Sequence, residues 1–166
     1  MTYWDSKSHT IVWLFFCYFR SINIMKSHVA IIILLSIFNS TLAQSVIGKW
    51  KTIDDNTGEP RCLVDIYERE GKIYGKITKL FPKIGEDPDP VCDDCDPEDS
   101  RYLKKIIGME IIESLTRDDE EYGGGNILDP ENGKVYRCKI WVEGNLLKVR
   151  GYLGPFYRTQ SWLKTD

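Results

Sequence analysis

Apolar and polar residues alternate along most of the chain, and the alternation breaks into short runs. Val46 to Ile53 is the first, with Trp50 at its centre. Cys62 to Glu68 is the second, with Cys62, Val64 and Ile66 on one face against Asp65 and Tyr67. Lys72 to Leu80 is the third, with Ile73 and Ile77 facing one way and Lys76 the other. A period of two places successive side chains on opposite faces of a strand. Asp54 to Gly58 and Glu70-Gly71 lie between these runs as turns. The last third repeats the pattern at Lys134 to Val142, Leu146 to Tyr152 and Phe156 to Lys164. Its joints are Asp129-Pro130-Glu131-Asn132-Gly133, Glu143-Gly144-Asn145 and Gly154-Pro155. Pro presets φ while Asn and Gly tolerate φ > 0, so these joints predict antiparallel hairpins.

Between the two halves the pattern stops. Phe81 to Arg101 holds four prolines and many acids, with no period of 2 or 3.6, and reads as one long loop. Ile106 to Thr116 resumes as an apolar run whose β-branched residues favour a strand over a helix. Glu121 to Leu128 is a further short strand, interrupted by Gly123-Gly124-Gly125, which marks a bulge or a sharp coil. Eight strands joined mostly by short turns predict an all-β, eight-stranded antiparallel up-and-down barrel, because closure removes the exposed edges of the sheet. An open two-sheet sandwich is the second architecture.

The start of the chain is of another kind. Met25-Lys26-Ser27-His28 is a short basic opening, Val29 to Phe38 is apolar, and Asn39 to Ala43 supplies small residues. This is the pattern of a secretory signal cleaved between Ala43 and Gln44. The apolar run is short of the ~20 residues that span a bilayer, so no transmembrane span remains after cleavage. The expected organisation is an overlong extension over 1–24, a signal peptide over 25–43 and one barrel domain over 44–166. The expected destination is outside the cytoplasm, either periplasmic or secreted. Residues 44–166 carry 19 basic and 24 acidic side chains, a net charge of −5. That balance excludes a polyanion binder and with it nucleic acid.

Candidate chemistry is sparse. The two histidines, His9 and His28, lie in the leader, so the barrel domain has no His to serve as a base near neutral pH. No nucleophilic triad can be assembled and no catalytic residue is assigned; Asp65, Glu113 and Asp129 are the carboxylates left for a paired-carboxylate hydrolase. Cys62, Cys92, Cys95 and Cys138 follow the leader, and an even number in an exported chain points to disulfides. Cys92-Asp93-Asp94-Cys95 allows a structural disulfide, half a metal site or a redox pair. The flanking acids and the lack of a following helix favour the structural disulfide. The acids from Asp87 to Asp99 could hold calcium, but their spacing is not that of an EF-hand, and a solvated acidic loop is the plainer reading. No metal and no cofactor is assigned. Aromatic residues are numerous, and Trp50, Tyr74, Tyr136, Tyr152 and Trp162 are the candidates to line a ligand-holding interior. The competing reading is a barrel packed solid by its own side chains.

Gly48-Lys49-Trp50 resembles the Gly-x-Trp on the first strand of calycins, the lipocalin-like barrels. That resemblance implies that the indole closes one end of the barrel with a late Arg packed over it; Arg150 and Arg158 are the candidates, Arg158 preferred. A broader resemblance spans the domain. Gly48 to Asp55, Gly71 to Ile77, Cys92 to Cys95, Gly125 to Tyr136 and Leu147 to Gly154 with Arg158 to Trp162 resemble the bacterial family called "domain of unknown function 2147". The resemblance implies an exported lipocalin-like barrel of unassigned activity, in which Cys62 stands where such proteins often carry Ser. The expected function is a non-enzymatic exported barrel binding a small apolar or amphipathic ligand. An envelope-associated interaction module using the Phe81 to Arg101 loop is the alternative, and a redox or metal-dependent enzyme using Cys92 and Cys95 stands last.

Overall fold

The computed structural model describes residues 45–165; the extension and signal segment expected over 1–43 lie outside them. The described chain forms eight strands: β1 Gly48–Ile53, β2 Pro60–Arg69, β3 Lys72–Leu80, β4 Glu110–Asp118, β5 Glu121–Asp129, β6 Lys134–Glu143, β7 Leu146–Leu153 and β8 Phe156–Thr165. They run antiparallel in sequence order and close into a barrel, β8 pairing back onto β1 through Lys49–Thr165, Trp50–Lys164 and Lys51–Leu163. The all-β, eight-stranded up-and-down barrel is therefore the fold.

Turn chemistry fixes the joints. Glu70 and Gly71 both take positive φ (55° and 74°), the conformation of the tightest hairpin turns. The fourth strand begins later than the apolar run suggests. Gly108 at φ 93° breaks the extended chain, and Ile106 bonds to the Pro90 carbonyl, so Ile106 to Gly108 belongs to the long loop. The Gly123 to Gly125 interruption is a true irregularity: the β5–β6 register shifts between Tyr122 and Gly125. A Cβ on Gly125 would sit 2.0 Å from the Glu113 carbonyl oxygen, where Ser114 bulges out of β4 at φ 58°.

The two ends of the barrel are built differently. At the end where β1 starts, large side chains fill the interior: Trp50, Ile66, Ile73, Leu115, Ile140 and Leu147, all buried. Trp50 is 0 % exposed, and its Nε1–H donates to the Val46 carbonyl at 2.8 Å, so the segment before β1 caps this end. Towards the other end the inward positions carry smaller or polar groups: Thr52 on β1, Cys62 on β2, Gly151 on β7 and Gln160 on β8. That end opens under the β3–β4 loop.

Arg158 does not pack on Trp50. Its position at the open end of β8 puts it beside the β1–β2 turn, where its Nε donates to Asp55 Oδ2 at 3.0 Å. The cation nearest the Trp50 ring is Lys164, with Nζ 5.8 Å from the centroid. Trp50→Ala is expected to cost about 3–5 kcal/mol, the usual range for emptying a buried Trp site. Arg158→Ala is expected to cost under about 1 kcal/mol, because its ion pair is exposed. Urea denaturation of both variants measures this; equal losses would contradict the assignment.

Candidate functional site

A cavity of about 890 Å³ spans the open half of the barrel and the space at its mouth between the β1–β2 and β5–β6 turns and the β3–β4 loop. Trp162 forms its floor, with Val149, Ile77, Ile111 and Ile127 as apolar wall and Tyr136, paired with Ile127, nearer the mouth. Polar groups are few inside. Gln160 Oε1 accepts from Trp162 Nε1–H at 3.3 Å, and Thr52 Oγ1 accepts from the Cys62 N–H at 3.1 Å. Gly151 leaves room in the wall: a Cβ there would meet only Tyr136 and Ile127, at 3.4 Å and beyond.

The loop between β3 and β4 forms one side of the mouth through Phe81, Pro82, Pro90 and Val91. It is ordered by its own ladder. Val91 bridges to Lys105, Cys92 N–H donates to the Lys104 carbonyl at 2.9 Å, and Leu103 N–H donates back to Cys92 at 3.0 Å. Cys92 and Cys95 are disulfide-bonded and 0 % and 2 % exposed. The disulfide turn rests on the β5–β6 turn so closely that a Cβ on Gly133 would lie 1.7 Å from the Asp94 carbonyl oxygen. Gly133 (φ 66°) is thus required twice, for its backbone conformation and for this approach. With both sulfurs enclosed, the bond is a staple for the loop and is poorly placed for thiol exchange.

The acids of the loop mostly serve its geometry. Asp87 accepts from the Asp89 N–H, Asp96 from the Glu98 N–H, Asp99 pairs with Arg101 and Asp89 with Lys105. Among the described residues, no group of His, Cys, Asp and Glu converges as a metal site. The candidate carboxylates for hydrolysis do not meet either. Glu113 pairs with Arg101, while Asp129 accepts from the Glu131 N–H and the Asn132 side chain within the β5–β6 turn. Burial raises the Asp129 carboxyl above the ordinary range, against the pull of those hydrogen bonds. Asp65 lies on β2 between the buried Val64 and Ile66, and therefore on the outer face.

Of the five aromatic residues expected inside, Trp162 and Tyr136 line the cavity. Trp50 is inside but below it. Tyr74 and Tyr152 point outward. Tyr74 follows Ile73 on β3, stacks on Tyr67 and lies under Arg69, whose guanidinium is 4.0 Å from the ring centroid. Tyr152 shares its face of β7 with Lys148 and Arg150 and packs beside Tyr157. Arg150 itself lies outside, 4.9 Å from the Trp141 ring and 4.6 Å from that of Tyr157. The parity of the neighbouring lysines and arginines carried this information. Gln160, Thr52 and the apolar loop residues are the lining groups that the aromatic pattern missed; Gln160 stands two residues before Trp162, on the same face.

Cys62 and Cys138 are free and buried rather than bonded. They sit on β2 and β6, four strands apart around the ring and so on opposite walls, beyond the ~7 Å Cα separation that a disulfide can bridge. Burial pushes the Cys62 thiol to about 11 and the Cys138 thiol to about 12. Both are consequently neutral and unreactive near pH 7.

The family described as "Uncharacterized protein conserved in bacteria (DUF2147)" matches residues 48–164, from the first strand to the last. The chain belongs to that family. Among curated proteins none matches it in sequence. Of solved structures, protein HP1028 from the human pathogen Helicobacter pylori, described as belonging to the lipocalin family, is similar in fold. The TM-score is 0.61 at 17% identity, covering 74% of this chain and 84% of that one. At this identity the likeness concerns the barrel alone, and this DUF2147 barrel is lipocalin-like.

Two outcomes test this description. The raised thiols mean that the folded state holds neutral sulfur where the unfolded chain ionises near the ordinary value of 9. Their contribution is therefore intact below pH 9 and lost as pH rises from there towards 11 and 12. Denaturation curves should show the wild type losing more stability than Cys138→Ala between about pH 9 and 11; identical pH profiles would contradict a buried thiol. Replacing Cys92 and Cys95 together by Ser should lower stability by about 2 kcal/mol, read from thermal melts. An unchanged melting temperature would show that the disulfide does not hold the loop.

Proposed function

We propose that this protein is an exported, non-enzymatic barrel that binds a small apolar or amphipathic ligand in the open half of its interior. The cavity carries this reading. Its volume of about 890 Å³ lies within the ~300–1,000 Å³ usual for small-molecule sites. It combines an apolar floor and wall, from Trp162, Val149, Ile127 and Ile111, with a few polar groups, Gln160 and Thr52, that can orient a ligand. A barrel packed solid would have no such space. A binder rather than an enzyme is supported by the lack of histidine in residues 44–166 and by thiols held neutral through burial. Export is supported by the signal pattern over 25–43 and by the Cys92–Cys95 disulfide, since such bonds persist in oxidising compartments.

Titration with the neutral fluorescent probe N-phenyl-1-naphthylamine tests the reading. The wild type should bind one probe per barrel. Gly151→Leu, which places a side chain against Tyr136 in the cavity wall, should weaken binding at least about tenfold, or ~1.4 kcal/mol, with the barrel still folded by circular dichroism. No binding to the wild type, or equal binding to the variant, would remove the interior site.

A further inference from the structure

The mouth of the cavity has a charge that its floor does not, and this bears on which ligand enters. Eight of the lining side chains are carboxylates and two are guanidinium groups. Both guanidinium groups are engaged. Arg61 donates to Glu86 at 3.1 and 3.2 Å and to Glu131 at 2.7 and 3.0 Å, and Arg158 holds Asp55. Asp54 is paired from outside the lining by Lys83 at 3.0 Å. Among the described residues, Asp87, Asp93, Asp94 and Asp129 take part in no ion pair. The first three are exposed at the rim, and Asp129 sits at the open end of β5. Phe156, 76 % exposed, lines the same mouth from the start of β8, across the ring from β4 and β5.

Resting on the reading of the cavity as a ligand site, we propose that its ligand is an amphiphile with a cationic head, a protonated amine or quaternary ammonium, on an apolar body. Among the described residues that line the cavity, a carboxylate or phosphate head would find no unengaged cation and would have to break the Arg61 or Arg158 pairs; Lys134, opposite Asp129 at the start of β6, stands outside the lining. A cationic head enters a mouth lined by unpaired carboxylates on one side and an exposed aromatic face on the other, both of which attract it. The apolar body then occupies the space above Trp162. Carboxylates around a low-dielectric opening also raise the local concentration of cations before contact.

Displacement of the bound neutral probe by three matched chains separates the alternatives: dodecylamine, dodecanol and dodecanoate, each below its aggregation limit. Dodecylamine is expected to displace at a concentration about tenfold or more below dodecanoate, with dodecanol between. Raising salt from about 20 to about 300 mM should compress that order. The triple variant Asp87→Asn, Asp93→Asn, Asp94→Asn should compress it too while leaving dodecanol unchanged. All three positions are exposed, so folding is not at stake. Dodecanoate displacing as well as or better than dodecylamine would overturn the cationic assignment and leave the interior site standing. So would a preference that neither salt nor the triple variant alters, or displacement by none of the three chains. Failure of the probe itself to bind would remove the site and this inference together.

Discussion

The pairing of β8 with β1 is the constraint on which everything else rests. Three residue pairs, Lys49–Thr165, Trp50–Lys164 and Lys51–Leu163, join the terminal strands. Once they join, no sheet edge is left, and every other residue on each strand faces a single enclosed interior. Eight strands give an interior that side chains can just fill or just fail to fill. Side-chain volume at the inward positions then decides whether the protein has a core, a cavity or both. Here it has both. Trp50, Ile66, Ile73 and Leu147 fill the closed half, and the core they form anchors the frame. Thr52, Cys62, Gly151 and Gln160 leave the open half underfilled, and the cavity is the consequence.

The loop between β3 and β4 completes the site without belonging to the barrel. Its own ladder, its disulfide and the contact of Asp94 with Gly133 hold Pro90, Val91 and Phe81 at the mouth. Most of its acids are spent on capping N–H groups or pairing with Arg101 and Lys105. The same loop thus supplies apolar wall below and unpaired charge above. Arg61 ties it to the strands, since its guanidinium reaches both Glu86 of the loop and Glu131 of the β5–β6 turn.

The strands and turns were legible in the sequence because period-two alternation and φ-specific residues act locally. β3 runs over the predicted Lys72 to Leu80, and the glycine interruption in β5 marks a real register shift. The closing pair was legible only indirectly, through the advantage of burying edges. What local signals cannot give is direction where both faces carry apolar residues. Tyr74 and Tyr152 looked like lining, yet Lys72 and Lys76 on one strand, and Lys148 and Arg150 on the other, share their faces and put them outside. Distance around the ring was likewise invisible. Cys62 and Cys138 are an even pair by count and lie on opposite walls by topology. Arg158 went to Asp55 because the open end of β8 adjoins the β1–β2 turn, a neighbourhood that only closure creates.

The account turns on whether the space above Trp162 is a binding volume. A crystal structure of the protein grown with N-phenyl-1-naphthylamine measures this most directly. The account predicts aromatic density between Trp162 and Tyr136, enclosed by Val149 and Ile127 and bounded above by the β3–β4 loop. A collapsed interior, with Tyr136 and Ile127 folded down onto Trp162 and no space left for the probe, would contradict it.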